Sequence, residues 1–207
     1  MVQAPRKPKT PTPAPLLLNL PDRLGLTVTS AQFEILTANN RDLRLERTAQ
    51  GILIVNPPTG WETGRRNRSI TGQLDRWYED HADLGEAFDS STGFRLPNGA
   101  NRSPDAAWVS RARWDALTPE QTGTFAEICP DFVVELRSGS DTFKALQAKM
   151  QEYLANGAKL GWLIDPKQRR VEIYRPQAEV EVLEQPTELS GETVLPGFVL
   201  SLKRIWT

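Results

Sequence analysis

The sequence predicts an α/β (α+β) protein, one mixed β-sheet flanked by helices, and three observations carry that reading. Phe132, Val133 and Val134, inside the run of residues 128–137, are β-formers without polar alternation, as in a strand covered on both faces. Two segments repeat apolar residues at helical spacing, Ile70, Leu74, Trp77 and Tyr78 in one and Phe143, Leu146, Met150, Tyr153 and Leu154 in the other. Strand candidates stand before, between and after these helices, so the order is mixed and the helices must pack on a common sheet. No internal repeat is present.

The elements follow in order. Residues 1–22 hold much of the proline, with Arg6, Lys7 and Lys9 between, and predict a flexible or polyproline-like arm ahead of one folded domain at 23–207. Thr29 and Ser30 cap a short helix that Asn39 and Asn40 end. Residues 41–46 and 52–55 read as a hairpin turning near Ala49, Gln50 and Gly51. A second helix follows Gly60, with Glu62 near its start and Arg65, Arg66 and Arg68 crowded there. Positive charge is poorly placed at a helix start, so either an anionic partner or Glu62 must answer it. Strands are expected at 86–90, 93–96 and 104–109, and a short helix from Ser110 to Leu117. After the central strand, Ser138-Gly139-Ser140-Asp141 starts a helix that stops at Asn156-Gly157. Lys149 stands at the edge of that helix's buried face, where its amine can lean toward the sheet. Strands are expected again at 160–164, 171–174, 180–183 and 198–202, and Asp165-Pro166 reads as a turn.

Composition narrows the chemistry. A net charge of −1 over 207 residues offers no global attraction to nucleic acid or membrane, so any polyanion site must be a local cluster. No segment approaches the roughly 18–20 apolar residues of a membrane span, and residues 1–15 lack a signal-peptide apolar region. Cys129 is the only cysteine, which excludes an internal disulfide, and its apolar neighbours suggest a buried thiol in a reducing compartment. The expected location is cytoplasmic. His81 is the only histidine, so sites needing two histidines cannot be assembled, and its place at a helix end suits an interaction with the last carbonyls. The six tryptophans are expected mostly in the core.

What remains is acid chemistry. Glu135 ends an apolar strand, where a buried carboxylate needs a cation. Asp105 opens an earlier strand. If the two strands lie side by side, both acids can hold one magnesium ion, which takes oxygen ligands at about 2.1 Å, with the Leu136 carbonyl adding another oxygen. Residues 135 and 137 share a strand face about 7 Å apart, so Arg137 forms an acid-x-base pair with Glu135. Phosphodiester hydrolysis requires such a metal and a cation beside the attacked phosphate, a role open to Lys149 or Arg137. Glu62 could add an outer-shell ligand or a second metal site. Asp131 also follows a proline and could join the cluster, although it ranks below Asp105.

These residues resemble a family. Pro104-Asp105 followed by Glu135-x-Arg137 is similar to the PD-(D/E)xK nuclease signature, and the wider match is to its Uma-type restriction endonuclease branch. The resemblance runs from about Thr29 to Trp206 through Arg44-Leu45-Glu46, Pro58-Thr59-Gly60, Glu62-Thr63-Gly64, Ser91-Thr92-Gly93-Phe94, Leu96-Pro97, Ser103-Pro104-Asp105, Pro130-Asp131, Lys149 with Tyr153, Gly161-Trp162-Leu163-Ile164-Asp165-Pro166 and Leu195-Pro196-Gly197-Phe198. It implies a restriction-endonuclease-like fold, Asp105 and Glu135 as ligands to magnesium (or manganese), Glu62 as an accessory acid, and DNA as the substrate. The lysine that the signature places two after the glutamate is Arg137 here, a poor base and a good phosphate clamp. Lys149 therefore becomes the expected working amine, Arg137 a phosphate contact, and Arg65, Arg66 and Arg68 further nucleic-acid contacts. Two other readings stay open: a catalytically inactive nucleic-acid-binding module of the same fold, suggested by Arg137, and a metal-free two-carboxylate glycosidase. Nuclease dimers are common, so a homodimer is also left open.

Overall fold

Thr29 and Gln32 cap each other reciprocally, Gln32 N–H to Thr29 Oγ1 at 3.2 Å and Thr29 N–H to Gln32 Oε1 at 2.8 Å, and so start helix α1, Ser30–Asn39. The computed structural model describes residues 25–123 and 125–207, so the expected arm at 1–22 lies outside the described residues. Strands β1, Arg44–Arg47, and β2, Leu53–Asn56, form the expected hairpin, with Gly51 at φ +88° in its turn, a left-handed position that glycine occupies without a Cβ penalty. Helix α2, Trp61–Glu79, leads to β3, Gly85–Asp89, β4, Phe94–Arg95, β5, Asn101–Arg102, and β6, Ala106–Ser110. Helices α3, Arg111–Trp114, and α4, Pro119–Thr122, precede β7, Phe132–Leu136. Helix α5, Phe143–Ala155, then leads to β8, Leu160–Asp165, β9, Arg170–Tyr174, β10, Glu181–Glu184, β11, Glu188–Ser190, and β12, Val199–Ser201. β5, α4 and β11 were not expected. Each has two to four residues, too few for a periodic pattern to register.

The central sheet has the order β10-β9-β8-β7-β6-β3. Only β7 and β8 run parallel, and α5 makes the crossover that a parallel pair requires. A second sheet, β2-β1-β5-β4, and the β11-β12 pair complete the strands.

Two cores sit on the two faces of β7. Phe132, Val134 and Leu136 enter one with Ile70, Leu74 and Trp77 of α2 and with Trp162, Phe198 and Leu200. Val133 enters the other with Leu146, Met150 and Tyr153 of α5. Phe132 meets Trp162 edge-on at 4.7 Å between ring centres, and Phe198 stacks on Trp162 at 6.0 Å. Complete burial of such side chains contributes about 1.5–3 kcal/mol each, which explains why the unalternated run is the centre of the sheet.

Gly85 is required by close approach. A Cβ built there would lie 2.2 Å from the Val109 carbonyl oxygen and 2.5 Å from the Trp108 ring. Main chain cannot yield as a flexible side-chain tip can, so Gly85→Ala is expected to cost about 1–3 kcal/mol or more in denaturant unfolding. Gly64→Ala is the control, because a Cβ there meets only Thr59 Oγ1, at 3.8 Å.

Trp77, Trp108 and Trp162 are buried as expected, but Trp61 is 96% exposed. It opens α2 about two and a half turns before the buried stripe begins at Ile70. His81 places Nδ1 2.7 Å from the Trp77 carbonyl oxygen and stacks on the Trp77 ring, consistent with its expected place at the helix end. Burial pushes the Cys129 thiol up to about 12, so it is not a nucleophile at neutral pH. No helix among the described residues is long and apolar enough to cross a membrane.

Candidate active site

Strand alternation places the two acids. Val133 faces the α5 core, and Glu135, two residues on, keeps that face. On the neighbouring strand Ala107 and Val109 face the same core, and Asp105 stands two residues before Ala107. The antiparallel register pairs Ala106 with Val134 and Ala107 with Val133, so continuing it sets Asp105 opposite Glu135. Both acids line one cavity of about 810 Å³, closed by β1, by residues 57–60 and by α5.

Each carboxylate is held differently. Asp105 Oδ2 accepts the Leu136 N–H at 2.8 Å, replacing a ladder acceptor where the strand pairing ends. Asp105 Oδ1 accepts from Asn67 Nδ2 at 2.9 Å and lies 3.5 Å from Arg44. Glu135 Oε1 accepts from the Tyr153 hydroxyl at 2.9 Å and from Lys149 Nζ at 2.8 Å, while its Oε2 has no hydrogen-bond donor among the described residues. Lys149 also donates to Glu46 Oε1 at 3.0 Å. Arg102 lies 3.3 Å from Glu46 and 2.6 Å from Glu152. Helical spacing explains the pairing on α5, because Lys149 and Tyr153 are one turn apart and reach the same carboxylate.

The charges are uneven. Five carboxyl groups line the cavity, Glu46, Asp105, Glu135, Asp141 and Glu152, against the cations Arg44, Arg102 and Lys149. Burial pushes the Glu135 pKa up to about 7; Lys149 opposes the rise, and Asp105 and Glu46 add to it. Burial also acts to raise Glu46, but Lys149, Arg102 and Arg44 together hold it below its ordinary value. Burial disfavours the Lys149 ammonium, yet Glu135 and Glu46 outweigh it and lift the amine above its usual pKa. Lys149 is therefore a cation at neutral pH. It can neutralise and position, and it is not poised to take a proton from water.

Other expected site residues lie elsewhere. Arg137 has the parity of Glu135 but turns sideways, with Nη1 2.6 Å from the buried Asp165 and its guanidinium over the Phe143 ring. It does not line the cavity, because a buried carboxylate one strand away outcompetes water for it. Glu62, whose side chain is 70% exposed, pairs with Arg66 at 2.7 Å and Arg65 at 3.5 Å and is likewise outside the cavity. Arg65 and Arg66 also donate to the carbonyls of Arg204, Thr207 and Ile205, so they dock residues 204–207 onto α2. Arg68 lines a different cleft. Asp131 is buried at the far end of β7 with Lys159, Arg113 and the Ser110 N–H, and does not join the acids.

Sequence reasoning assigned no role to Glu46, Asn67, Arg44 or Arg102. A charged residue in a four-residue strand is ordinary, and only the closure of β1 over the cavity buries Glu46. Tyr153 had a legible signal, its i+4 relation to Lys149. Oxygen-bearing groups stand at or next to the acids: the two carboxylates, the main chain of Leu136, whose N–H meets Asp105, and Asn67, which donates to Asp105 through Nδ2 and whose Oδ1 is buried without a partner among the described residues. Among the described residues no three His, Cys, Asp or Glu side chains converge on one ion position. That donor set does not suit zinc. It fits magnesium, which keeps several waters and is held by one or two carboxylates.

A sequence profile described as "Uma2: Putative restriction endonuclease" matches residues 30–203. A crystal structure described as "a putative nuclease belonging to DUF820 from Anabaena variabilis ATCC 29413" superposes with a TM-score of 0.65 and 23% identity, covering 78% of this chain and 89% of that one. At that identity it shows a shared fold, a central mixed sheet flanked by helices. No functionally curated protein matches the chain.

Proposed function

Because the chain belongs to the Uma2 family of putative restriction endonucleases, we propose that it is a magnesium-dependent endonuclease hydrolysing DNA phosphodiester bonds at the cavity between β6, β7 and α5. The observation that carries the reading is the juxtaposition of Asp105 and Glu135 on one face of adjoining strands, with the Lys149 ammonium 2.8 Å from Glu135. Asp105, Glu135 and the Leu136 carbonyl would hold the metal, with Asn67 Oδ1 beside them. When bound, magnesium supplies charge neutralisation at the phosphate and a more acidic water.

The chain's own groups do the remainder. Lys149 stabilises negative charge that develops on the phosphate oxygens as water oxygen bonds to phosphorus and the bond to the leaving oxygen breaks. Tyr153 and Lys149 both grip Glu135 Oε1, which leaves Oε2 without a hydrogen-bond donor among the described residues. Leu136 N–H and Asn67 orient Asp105 in the same way. Glu46 and Arg102 fix Lys149 from the other side, so the ammonium needs little reorganisation. Arg137, committed to Asp165, serves the architecture of the strand end in this reading.

The test is nicking of supercoiled plasmid and cutting of labelled single strands with magnesium or manganese, against the same reactions in EDTA. Cleavage by the wild type, lost in EDTA and in Asp105→Ala, is the expected result. Equal cutting by wild type and Asp105→Ala, or cutting that survives EDTA, would end the proposal, and the second outcome would favour a metal-free hydrolase.

A further inference from the structure

A second cleft, of about 1030 Å³, opens between α2, β3 and residues 201–204, and shares no lining residue with the catalytic cavity. Arg68, Arg76, Lys203 and Arg204 line it, and none of these four side chains has a carboxylate partner among the described residues. Two acids, Asp75 and Asp89, line it as well, and Asp89 is engaged by the N–H and hydroxyl of Ser91. Positive charge is thus concentrated here in a chain whose net charge is −1.

The helix surface inside the cleft is bare. Arg68, Gly72 and Arg76 follow one another at four-residue steps and form one stripe of α2. Glycine inside a helix is less favourable than alanine, and here packing does not demand it: a Cβ at Gly72 would meet only Arg76 Nη1, at 3.9 Å. The missing side chain leaves room for a ligand to approach the helix between two guanidiniums. Arg68 and Arg76 are about 12 Å apart along the axis, the rise of three to four nucleotides of one DNA strand. The stripe begins one residue after Asn67, which holds Asp105.

We infer that this cleft binds the phosphodiester backbone of the DNA flanking the scissile bond, with Arg68, Arg76, Lys203 and Arg204 on phosphates and Gly72 giving the strand access to the helix. This assignment rests on the nuclease reading for its substrate, but binding can be tested apart from cleavage. The experiment is titration of a labelled DNA duplex with full-length protein in EDTA at several salt concentrations. Arg68→Glu, Arg76→Glu and Lys203→Glu should each weaken binding about tenfold and reduce the salt slope by about one. Lys167→Glu, an exposed charge that does not line the cleft, should bind as wild type. Gly72→Ala should raise the melting temperature by about 2–4 °C yet weaken DNA binding several-fold, a pairing that a merely structural glycine would not produce. Wild-type affinity in the cleft variants or in Gly72→Ala, or no salt-sensitive binding by the wild type, overturns the assignment. If metal-dependent cleavage persists while the cleft variants bind normally, only the cleft assignment falls. If the cleft variants lose binding and no metal supports cleavage, only the hydrolysis reading falls.

Discussion

Glu135→Gln is expected to abolish metal-dependent cleavage and, in metal-free buffer at pH 8, to stabilise the fold by on the order of 3 kcal/mol. The side chain is 3% exposed, and its pKa stands at about 7 against an ordinary 4.5. Between those values the folded protein holds a proton that the unfolded chain releases, so the carboxyl group erodes stability as pH rises from about 4.5 to 7. Above pH 7 the whole penalty is present. Glutamine imitates the neutral form and still accepts the Tyr153 hydroxyl, so the variant avoids that penalty. Urea unfolding in EDTA at pH 5 and pH 8 checks this. Variant and wild type should differ little at pH 5 and most at pH 8, whereas a variant less stable at pH 8 would contradict the assignment of Glu135 as an unfavourably buried charge. Stability gained where activity is lost is the mark of a group retained for its chemistry.

Lys149→Met should move stability the other way. Removing the ammonium leaves Glu135 and Glu46, 3% exposed each, without their shared cation. Orphaning one side of a buried ion pair typically costs about 3–5 kcal/mol. Cleavage should fall by about a hundredfold or more if, as proposed, the lost charge is the one set against the phosphate. Because the stranded carboxyls can take up protons, part of the stability should return as pH falls to 5. At pH 8, Glu135→Gln should stabilise the Lys149→Met variant by more than it stabilises the wild type, a non-additivity expected only if the two side chains share one interaction. An equal gain in both backgrounds would mean that they act separately.

Local pattern made the architecture legible. The run around Phe132–Leu136, the helical spacing from Ile70 to Trp77 and the caps at Thr29 and Asn156 are properties of short stretches, and they gave the sheet, its flanking helices and most element ends. Of the short elements β5, α4 and β11 were missed, because no period fits inside them, while β1, β2 and β4 were legible from the turn residues beside them. Asp105 and Glu135, picked out by motif spacing, and Lys149, picked out by its place at the edge of a helix face, are brought together at one cavity.

Partnership was not legible. Arg137 was expected at the phosphate and instead holds Asp165, Glu62 lies outside the cavity and answers Arg65 and Arg66, one of the two partners that their crowding allowed, and Glu46 occupies the place beside Lys149. What the sequence by itself determined is the fold class and which neighbours on its own strand each acid shares a face with, because strand and helix periods are set by neighbouring residues. Only the tertiary structure decided which cation meets which carboxylate. Long, flexible side chains choose the buried opposite charge that the folded chain brings within reach, and that charge comes from a strand or helix far away in sequence.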